Sequence, residues 1–517
     1  MPVDVLIVGA GPNGLLMASE LALAGVEAVV LERLAERSDQ PKANGLVGRV
    51  VEALDRRGIY ELFSGHDGPP RPAPGFVFGA LPLDLTAAGG HALHALGIPQ
   101  RRIEELLEQR ATGLGVPVLR GHEVRAVHQT PDAVAVDVLT PAGPRRFEAR
   151  YLVAADGGTS PIRKQLGIGF PGTTDRGFVS RSGRVAVGAP VALDTGELEL
   201  PGHGRLPPAT FLRTEKGVLA YAVVEPGCYR MSAFEWGEEG LEDADDISLE
   251  ELTAALHRVV GTRLPLSPPA DAGPRDRRRR VGVNSRHADR YRSGRVFLVG
   301  DAAHVHSAVG APGLNLGMQD VLNLGWKLAA AVHGTAPDGL LDTYESERRP
   351  AGERVIMHSR AQSALLAPGA NTTALRALFA ELLDDATTTR RIADLMAGSD
   401  LHHPARFDGA AHPLTGRWAP DLPLRTGAGS TRLAELLRPA RPLLLDLAAG
   451  AKITAAATGW ADRVDVVAAT TPQPPADALL VRPDGYVAWA GERGADGLRA
   501  ALGVWFGAPA LTNAGVA

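Results

Sequence analysis

The stretch VDVLIVGAGPNG, Val3 to Gly14, followed by VEAVVLER, Val26 to Arg33, decides how the chain begins to fold. Val3 to Val8 is rich in β-branched residues and reads as a buried strand. Gly9, Gly11 and Gly14 form a GxGxxG turn, and the helix that follows ends at Gly25. Gly9 permits the tight turn, Gly11 lets a pyrophosphate approach the backbone, and Gly14 lets helix and strand pack closely. The helix N-terminus faces the phosphates with partial positive charge. Glu32 closes the next strand, where its carboxylate can accept both hydroxyls of an adenosine ribose. A glycine turn alone serves packing in many α/β proteins, but strand, turn, helix and terminal acid agree here. An adenine dinucleotide is expected. The fragment does not separate NAD from FAD.

The 517 residues, 45% hydrophobic with a net charge of −5, suit a globular protein of roughly two to four domains. Nothing in this balance points to nucleic acid. No apolar run reaches the roughly 18 residues of a membrane span, and Met1 leads into a strand without a basic leader. A cytoplasmic protein with neither a nucleic-acid nor a membrane partner is therefore expected. Cys228 is the only cysteine, which excludes an internal disulfide, a CxxC pair and a thiolate zinc cluster. Redox chemistry must come from a bound cofactor. His304 with His306, and His402 with His403, lack a partnering ligand set, so no metal is expected. The arginine run from Arg275 to Arg280 reads as the charged face of a solvated strand.

Two further segments carry chemistry. In RVFLVGDAAH, Arg295 to Val299 is an apolar strand closed by Gly300 and Asp301. A carboxylate at the end of a parallel strand points into the ligand crevice and can accept from a polyol. Gly310 to Gly313 is glycine-rich and leads into a helix near Asn315, whose free N–H groups can face an anionic ligand edge. Tyr151 to Ala155 forms a strand followed by DGGTSPIRKQLGI, in which Asp156-Gly157-Gly158 reads as a turn and Ser160 as a helix cap.

Taken together, GDAAH, the later GLN, the DxxNLxWKL helix and DGxxSxxR resemble the flavin-binding signatures of class A, para-hydroxybenzoate hydroxylase-like FAD-dependent aromatic hydroxylases, and within them the aromatic polyketide (angucycline and tetracycline-type) subgroup. The resemblance implies that Asp301 contacts the ribityl chain and that backbone groups at Leu314 and Asn315 hold the pyrimidine end of the flavin. It assigns Asp156 and Arg163 to the cofactor, matches Gln100 to a glutamine that reaches the flavin side, and adds Pro12, Asn13, Arg33, Val124, Gly300 and Gly313 to the binding set. Lys42 stands where relatives usually have arginine, a point charge in place of a fork. Ser307-Ala308 replaces the usual proline pair. No second GxGxxG follows a strand, so no separate nicotinamide-binding Rossmann unit is expected, and the resemblance implies NADPH or NADH as a transient co-substrate beside O2.

The implied fold is α/β: a discontinuous FAD-binding Rossmann-like domain, a sheet-based middle substrate domain and a thioredoxin-like C-terminal domain. The expected boundaries are 1–175 for the first FAD-binding part, with about 70–96 joining the middle domain, then 176–274, 275–403 for the second FAD-binding part and a helical segment, and 404–517. The helical segment includes YESERRP, Tyr344 to Pro350, read locally as an amphipathic helix with internal ion pairs. The C-terminal strands RPLLLDLA, DRVDVVAA and ALLVRPDGYVAWAG look like those of polyketide hydroxylases, with Asp484-Gly485 as a hairpin turn. Without cysteines this domain is expected to be structural, with homodimerisation as one use.

The implied reaction is NAD(P)H- and O2-dependent hydroxylation of a polycyclic aromatic polyketide through a C4a-hydroperoxyflavin, in biosynthesis or in antibiotic inactivation. Baeyer–Villiger insertion is the chemical alternative, and a non-catalytic FAD-binding structural or sensor protein is the alternative of another class. The sequence does not identify a catalytic base. Tyr221 and Arg213, on middle-region strands, are candidates for lining a phenol pocket, against a plainer role in packing.

Overall fold

The computed structural model describes residues 3–38, 43–86, 93–238, 240–270, 276–407, 411–448, 451–491 and 496–510. Lys42 and Arg275 lie outside them. Among the described residues, eight strands form the first sheet, whose central path runs Arg292–Ser293, Val296–Leu298, Gly143–Ala154, Val3–Val8, Ala28–Glu32 and Val118–Arg120. The pairings of Val3–Val8 with both neighbours are parallel. Val5, Leu6 and Ile7 have no exposure, as a strand covered on both faces requires. The first helix, Pro12–Leu23, packs on this sheet and against the helix Pro312–Val332. The domain is assembled from distant stretches, as expected.

The middle sheet has seven strands, with Phe211–Thr214, Gly217–Glu225, Cys228–Trp236, Gly172–Val187, Arg277–His287 and His304–Val305 in spatial order. The helix Leu249–Val260 covers one face, burying Leu252, Leu256 and Val259 against Val185, Leu219 and Met231. This corrects two boundaries. Arg277 to Arg280 of the arginine run belong to a strand of the middle sheet, although they follow residue 274, and their side chains are partly buried. Arg279 bonds Glu251 and the Glu242 carbonyl, and Arg277 the Ile247 carbonyl. Among the described residues, 70–86 and 93–96 do not join this sheet. Their hairpin, Gly75–Phe78 with Leu81–Asp84, packs on the helical segment, where Phe78 stacks on Phe379 at 5.7 Å and meets Leu365 and Met396.

The third sheet runs Gly429–Arg432, Pro423–Thr426, Asp465–Thr470, Leu443–Asp446, Ala478–Val481 and Val487–Gly491. Leu443–Asp446 is parallel to Asp465–Thr470 and antiparallel to Ala478–Val481. This is the thioredoxin-like unit. Asp484-Gly485 makes the turn of its last hairpin, with Gly485 at a φ of +88°. Among the described residues no helix is long and apolar enough to cross a membrane.

Arginines fasten this unit to the flavin-type domain. Arg57 forks onto Glu20 at 2.7 and 2.8 Å and also donates to the carbonyls of Pro483 and Leu437. Arg56 lies over the Trp418 ring at 4.1 Å and donates to the carbonyls of Gly485 and Ala419. Arg432 forks onto Asp55, and Trp418 Nε1–H donates to Glu52 at 2.9 Å. Replacing Arg57 with methionine leaves the Glu20 carboxylate buried without its fork. Arg57→Met is expected to lower the unfolding free energy by about 3–5 kcal/mol in a urea titration, and Glu20→Gln/Arg57→Met by less, because no uncompensated charge then remains.

Candidate functional site

Gly9 has a φ of +107°, and a Cβ there would lie 2.4 Å from the Ala155 carbonyl oxygen. A Cβ at Gly14 would lie 1.9 Å from the Gly9 carbonyl oxygen. Both glycines are thus fixed by packing. Gly11 is different: among the described residues nothing lies within 4 Å of the Cβ position, and it caps the first helix without a side-chain bond, with Pro12 at the helix start. The first turn therefore offers N–H groups towards open space. Glu32 shapes the same turn. Its Oε2 accepts from the Ala10 amide and its Oε1 from the Leu34 amide, each at 2.8 Å. A carboxylate has further lone pairs for a ribose. Arg33 is exposed beside it, and Val124 is buried in the strand Glu123–Gln129.

Asn13 wedges between two glycines of other segments. A Cβ on Gly300 would come within 2.0 Å of Asn13 Nδ2, and one on Gly317 within 2.4 Å. The phosphate turn, the turn Gly300–Ala302 and the helix Pro312–Val332 meet there, and Asn13 Oδ1 is buried with no hydrogen-bond partner among the described residues. Asp301 stands exposed on the turn, with no side-chain hydrogen bond among the described residues.

Arg163 binds the protein itself, donating to the carbonyls of Ala302 at 2.8 Å and Gly158 at 3.0 Å while lying 3.7 Å over the Phe170 ring. It ties the DG segment to the Asp301 turn. Ser160 caps the short helix Pro161–Gln165, as read from the sequence. Asp156 accepts from the Ile162 amide through Oδ2, and its Oδ1 is buried without a partner. Burial holds this carboxyl above its usual range.

At the start of the helix Pro312–Val332, the Asn315 side chain is engaged by the protein, accepting from the Val47 amide at 2.7 Å and donating to the Ala311 carbonyl at 2.6 Å. The Gly313 and Leu314 amides lie in the first helical turn, which leaves them without intrahelical partners. Ala311 precedes them with a φ of +55°, a conformation glycine adopts more easily. Gln100 brackets Ala43, accepting from its amide at 3.3 Å and donating its own backbone N–H to its carbonyl. Ser307 is buried where a proline pair was the reference.

Sequence reasoning missed the buried frame behind these turns. Asp320 accepts from the Gly300 amide at 3.2 Å, pairs with His304 Nε2 at 2.7 Å and receives Arg348 Nε at 2.8 Å. Burial raises the Asp320 pKa, but His304 and Arg348 outweigh it and hold it below the ordinary value. The ion pairs of Glu347 and Arg348 in YESERRP are thus not internal to its helix: Tyr344, Glu347 and Arg348 are all buried, with Glu347 paired to Lys327 and Arg482 and Arg348 to Asp320. The available signal was Asp320, Asn323 and Lys327 recurring on one side of an otherwise apolar helix.

Tyr221 and Arg213 both take the plainer role. Tyr221 is 3% exposed in the middle-sheet core, its hydroxyl donates to the carbonyls of Leu206 and Gly196, and burial pushes its pKa up to about 12. Arg213 clamps the Ala367 carbonyl and Thr373, joining the middle sheet to the helical segment. An open groove lies at another such junction, between His287 and Glu353, Ile356, Met357 and Arg360 of the helix Asp342–Leu366.

An adenine dinucleotide fits these residues: open space over Gly11, an uncommitted carboxylate at Asp301, and unpartnered Asn13 and Asp156 oxygens beside the turns. Comparison with known proteins agrees. Residues 2–359 match the FAD binding domain family and residues 412–509 the family described as aromatic-ring hydroxylase, C-terminal. The chain is 42% identical to the 12-dehydrotetracycline 5-monooxygenase/anhydrotetracycline 6-monooxygenase of Streptomyces rimosus, covering 99% of this chain and 100% of that protein. It is 36% identical to a dialkyldecalin synthase of Streptomyces rugosporus, covering 97% and 98%. The solved structure of CabE, an aromatic hydroxylase from angucycline biosynthesis, superposes with a TM-score of 0.86 at 38% identity, covering 99% of this chain and 100% of that one. The chain belongs to the class A FAD-dependent aromatic hydroxylases, in the angucycline and tetracycline monooxygenase subgroup. It is a flavin-dependent monooxygenase.

Burial pushes His287, His306 and His358, which lie around the cradle, each down to about 4. Unfolded imidazoles titrate near ~6.5, so the unfolded chain binds more protons between the two values. The associated stability is complete above about pH 6.5 and is lost as pH falls towards 4. The melting temperature is expected to drop on acidification through that window, and less steeply in His358→Gln. A flat profile there contradicts the burial of neutral rings.

Proposed function

We propose that the protein hydroxylates a fused-ring aromatic polyketide bearing a phenol, taking electrons from NADPH or NADH and oxygen from O2, in the cytoplasm. The observation that carries this reading is the convergence of the Gly11 turn, the Asp301 turn and the Gly313–Leu314 amides from three distant stretches. Bound FAD supplies the electron transfer and the oxygen activation. The residues assigned to it are the first-helix amides for the diphosphate, Glu32 for the ribose, Asp301 for the ribityl chain, and backbone groups at Leu314 and Asn315 for the pyrimidine end.

The middle sheet supports the substrate class. Val179, Met231 and Ala233 are buried, and Met231 and Ala233 pack in the core under the helix Leu249–Val260. Strand alternation puts Phe178, Phe234 and Trp236 on the opposite side, where Phe178 stacks on Phe234 at 5.8 Å and meets Trp236 edge-on at 5.2 Å. A flat aromatic surface suits flat fused rings. Closure of this sheet over the flavin would exclude water from the reaction.

Anaerobic flavin reduction by NADPH and by NADH, with and without a panel of polyketide phenols and ketones, tests the reading when followed by product analysis after admission of oxygen. Acceleration by a phenol and a ring-hydroxylated product heavier by one oxygen are expected. The same mass with an inserted ring oxygen would assign Baeyer–Villiger chemistry. Flavin that no nicotinamide reduces would place the chain with flavoproteins that do no redox work. Tyr221→Phe is expected to leave turnover unchanged and to lower stability by about 1 kcal/mol, since only hydrogen bonds to core carbonyls are lost.

A further inference from the structure

The last hairpin of the C-terminal unit reaches into the frame behind the flavin cradle. Arg482 donates through both terminal nitrogens to Glu347, at 2.7 and 2.8 Å, and through Nε to Asp484 at 3.0 Å. Glu347 also receives Asn323 at 2.6 Å and Lys327 at 2.8 Å, both from the helix Pro312–Val332. Its chain neighbour Arg348 bonds the Leu316 carbonyl at 3.3 Å, one residue beyond Asn315, and Asp320 at 2.8 Å, and Asp320 holds the Gly300 amide. Arg482, Arg348, Lys327 and Asp320 are at most 1% exposed. With Arg482 in place, two cations face two carboxylates around Glu347. Without it, Lys327 alone would face Glu347 and Asp484 in a site closed to water, and the Glu347–Arg348 turn would lose its anchor.

We propose that Arg482 is a positioning residue for FAD: through Glu347 and Arg348 it holds Asp320, and with it the Gly300–Asp301 turn and the first turn of the helix Pro312–Val332. Docking of the C-terminal unit and retention of the flavin are then one coupled equilibrium. Asp320 is where the two effects meet, so the coupling is measurable between Arg482 and Asp320.

The test uses the full-length protein. Arg482→Lys keeps the charge but not the two-pronged fork, and Arg482→Met/Glu347→Gln removes the pair without leaving a net charge. FAD dissociation constants from flavin fluorescence are read beside melting temperatures of the flavin-free forms. A rise of about tenfold in the dissociation constant is expected in either variant. The losses from Arg482→Lys and Asp320→Asn should combine less than multiplicatively. A lowered flavin-free melting temperature with an unchanged dissociation constant would make Arg482 purely structural and overturn the proposal. So would strictly multiplicative losses. If the double variant does not fold, the lysine variant decides alone.

Discussion

A single wholly buried carboxylate, Asp320, organises the cradle. It binds the Gly300 amide, His304 and Arg348, which come from a turn, a strand and a second helix. An ionised carboxylate withdrawn from water costs several kcal/mol unless its partners are all present. The turn bearing Asp301, the strand bearing His304 and the helix bearing Arg348 must therefore assemble together. In such a network each bond polarises the next, and a partly made version is worse than none. The lowered pKa values of His287, His306 and His358 follow from the same shortage of water.

The same physics fixes the C-terminal unit. A purely apolar contact lets two surfaces slide, whereas a guanidinium fork accepts its carboxylate or carbonyls in few orientations. Arg56, Arg57, Arg432 and Arg482 each bond across the junction, and Trp326 packs beside Trp505 and Phe506. A thioredoxin-like fold without cysteines thus becomes a fixed wall of the flavin-binding domain. Its buried Arg482 fork lands on Glu347 of the helix Asp342–Leu366, which in turn receives Asn323 and Lys327 of the helix Pro312–Val332.

This scaffold does not dictate a single chemistry. A dialkyldecalin synthase shares it at 36% identity, in keeping with the general separation of fold from function. What differs among such proteins must lie where substrate is held. The function proposed here assigns that place to the middle sheet, which has Phe178, Phe234 and Trp236 on one side of its strands and a hydrophobic core on the other.

The amino-acid sequence by itself determined the flavin-binding class, the three cofactor segments and the hairpin at Asp484-Gly485, because glycine spacing, strand ends and helix starts are local. Gly9 and Gly14 are read correctly from spacing alone, since each relieves a clash with backbone close by or in the adjoining strand. Only the tertiary structure supplied the protein partners of the Arg163, Asn315, Tyr221 and Arg213 side chains, each of which could face either ligand or protein. It also moved Arg277 to Arg280 into the middle sheet and the hairpin Gly75–Phe78/Leu81–Asp84 onto the helical segment. Glu347 and Arg482 stand far apart in the chain, and no local pattern announces their fork. Their pairing exists because burial removes water as a competitor, and burial is a property of the assembled fold.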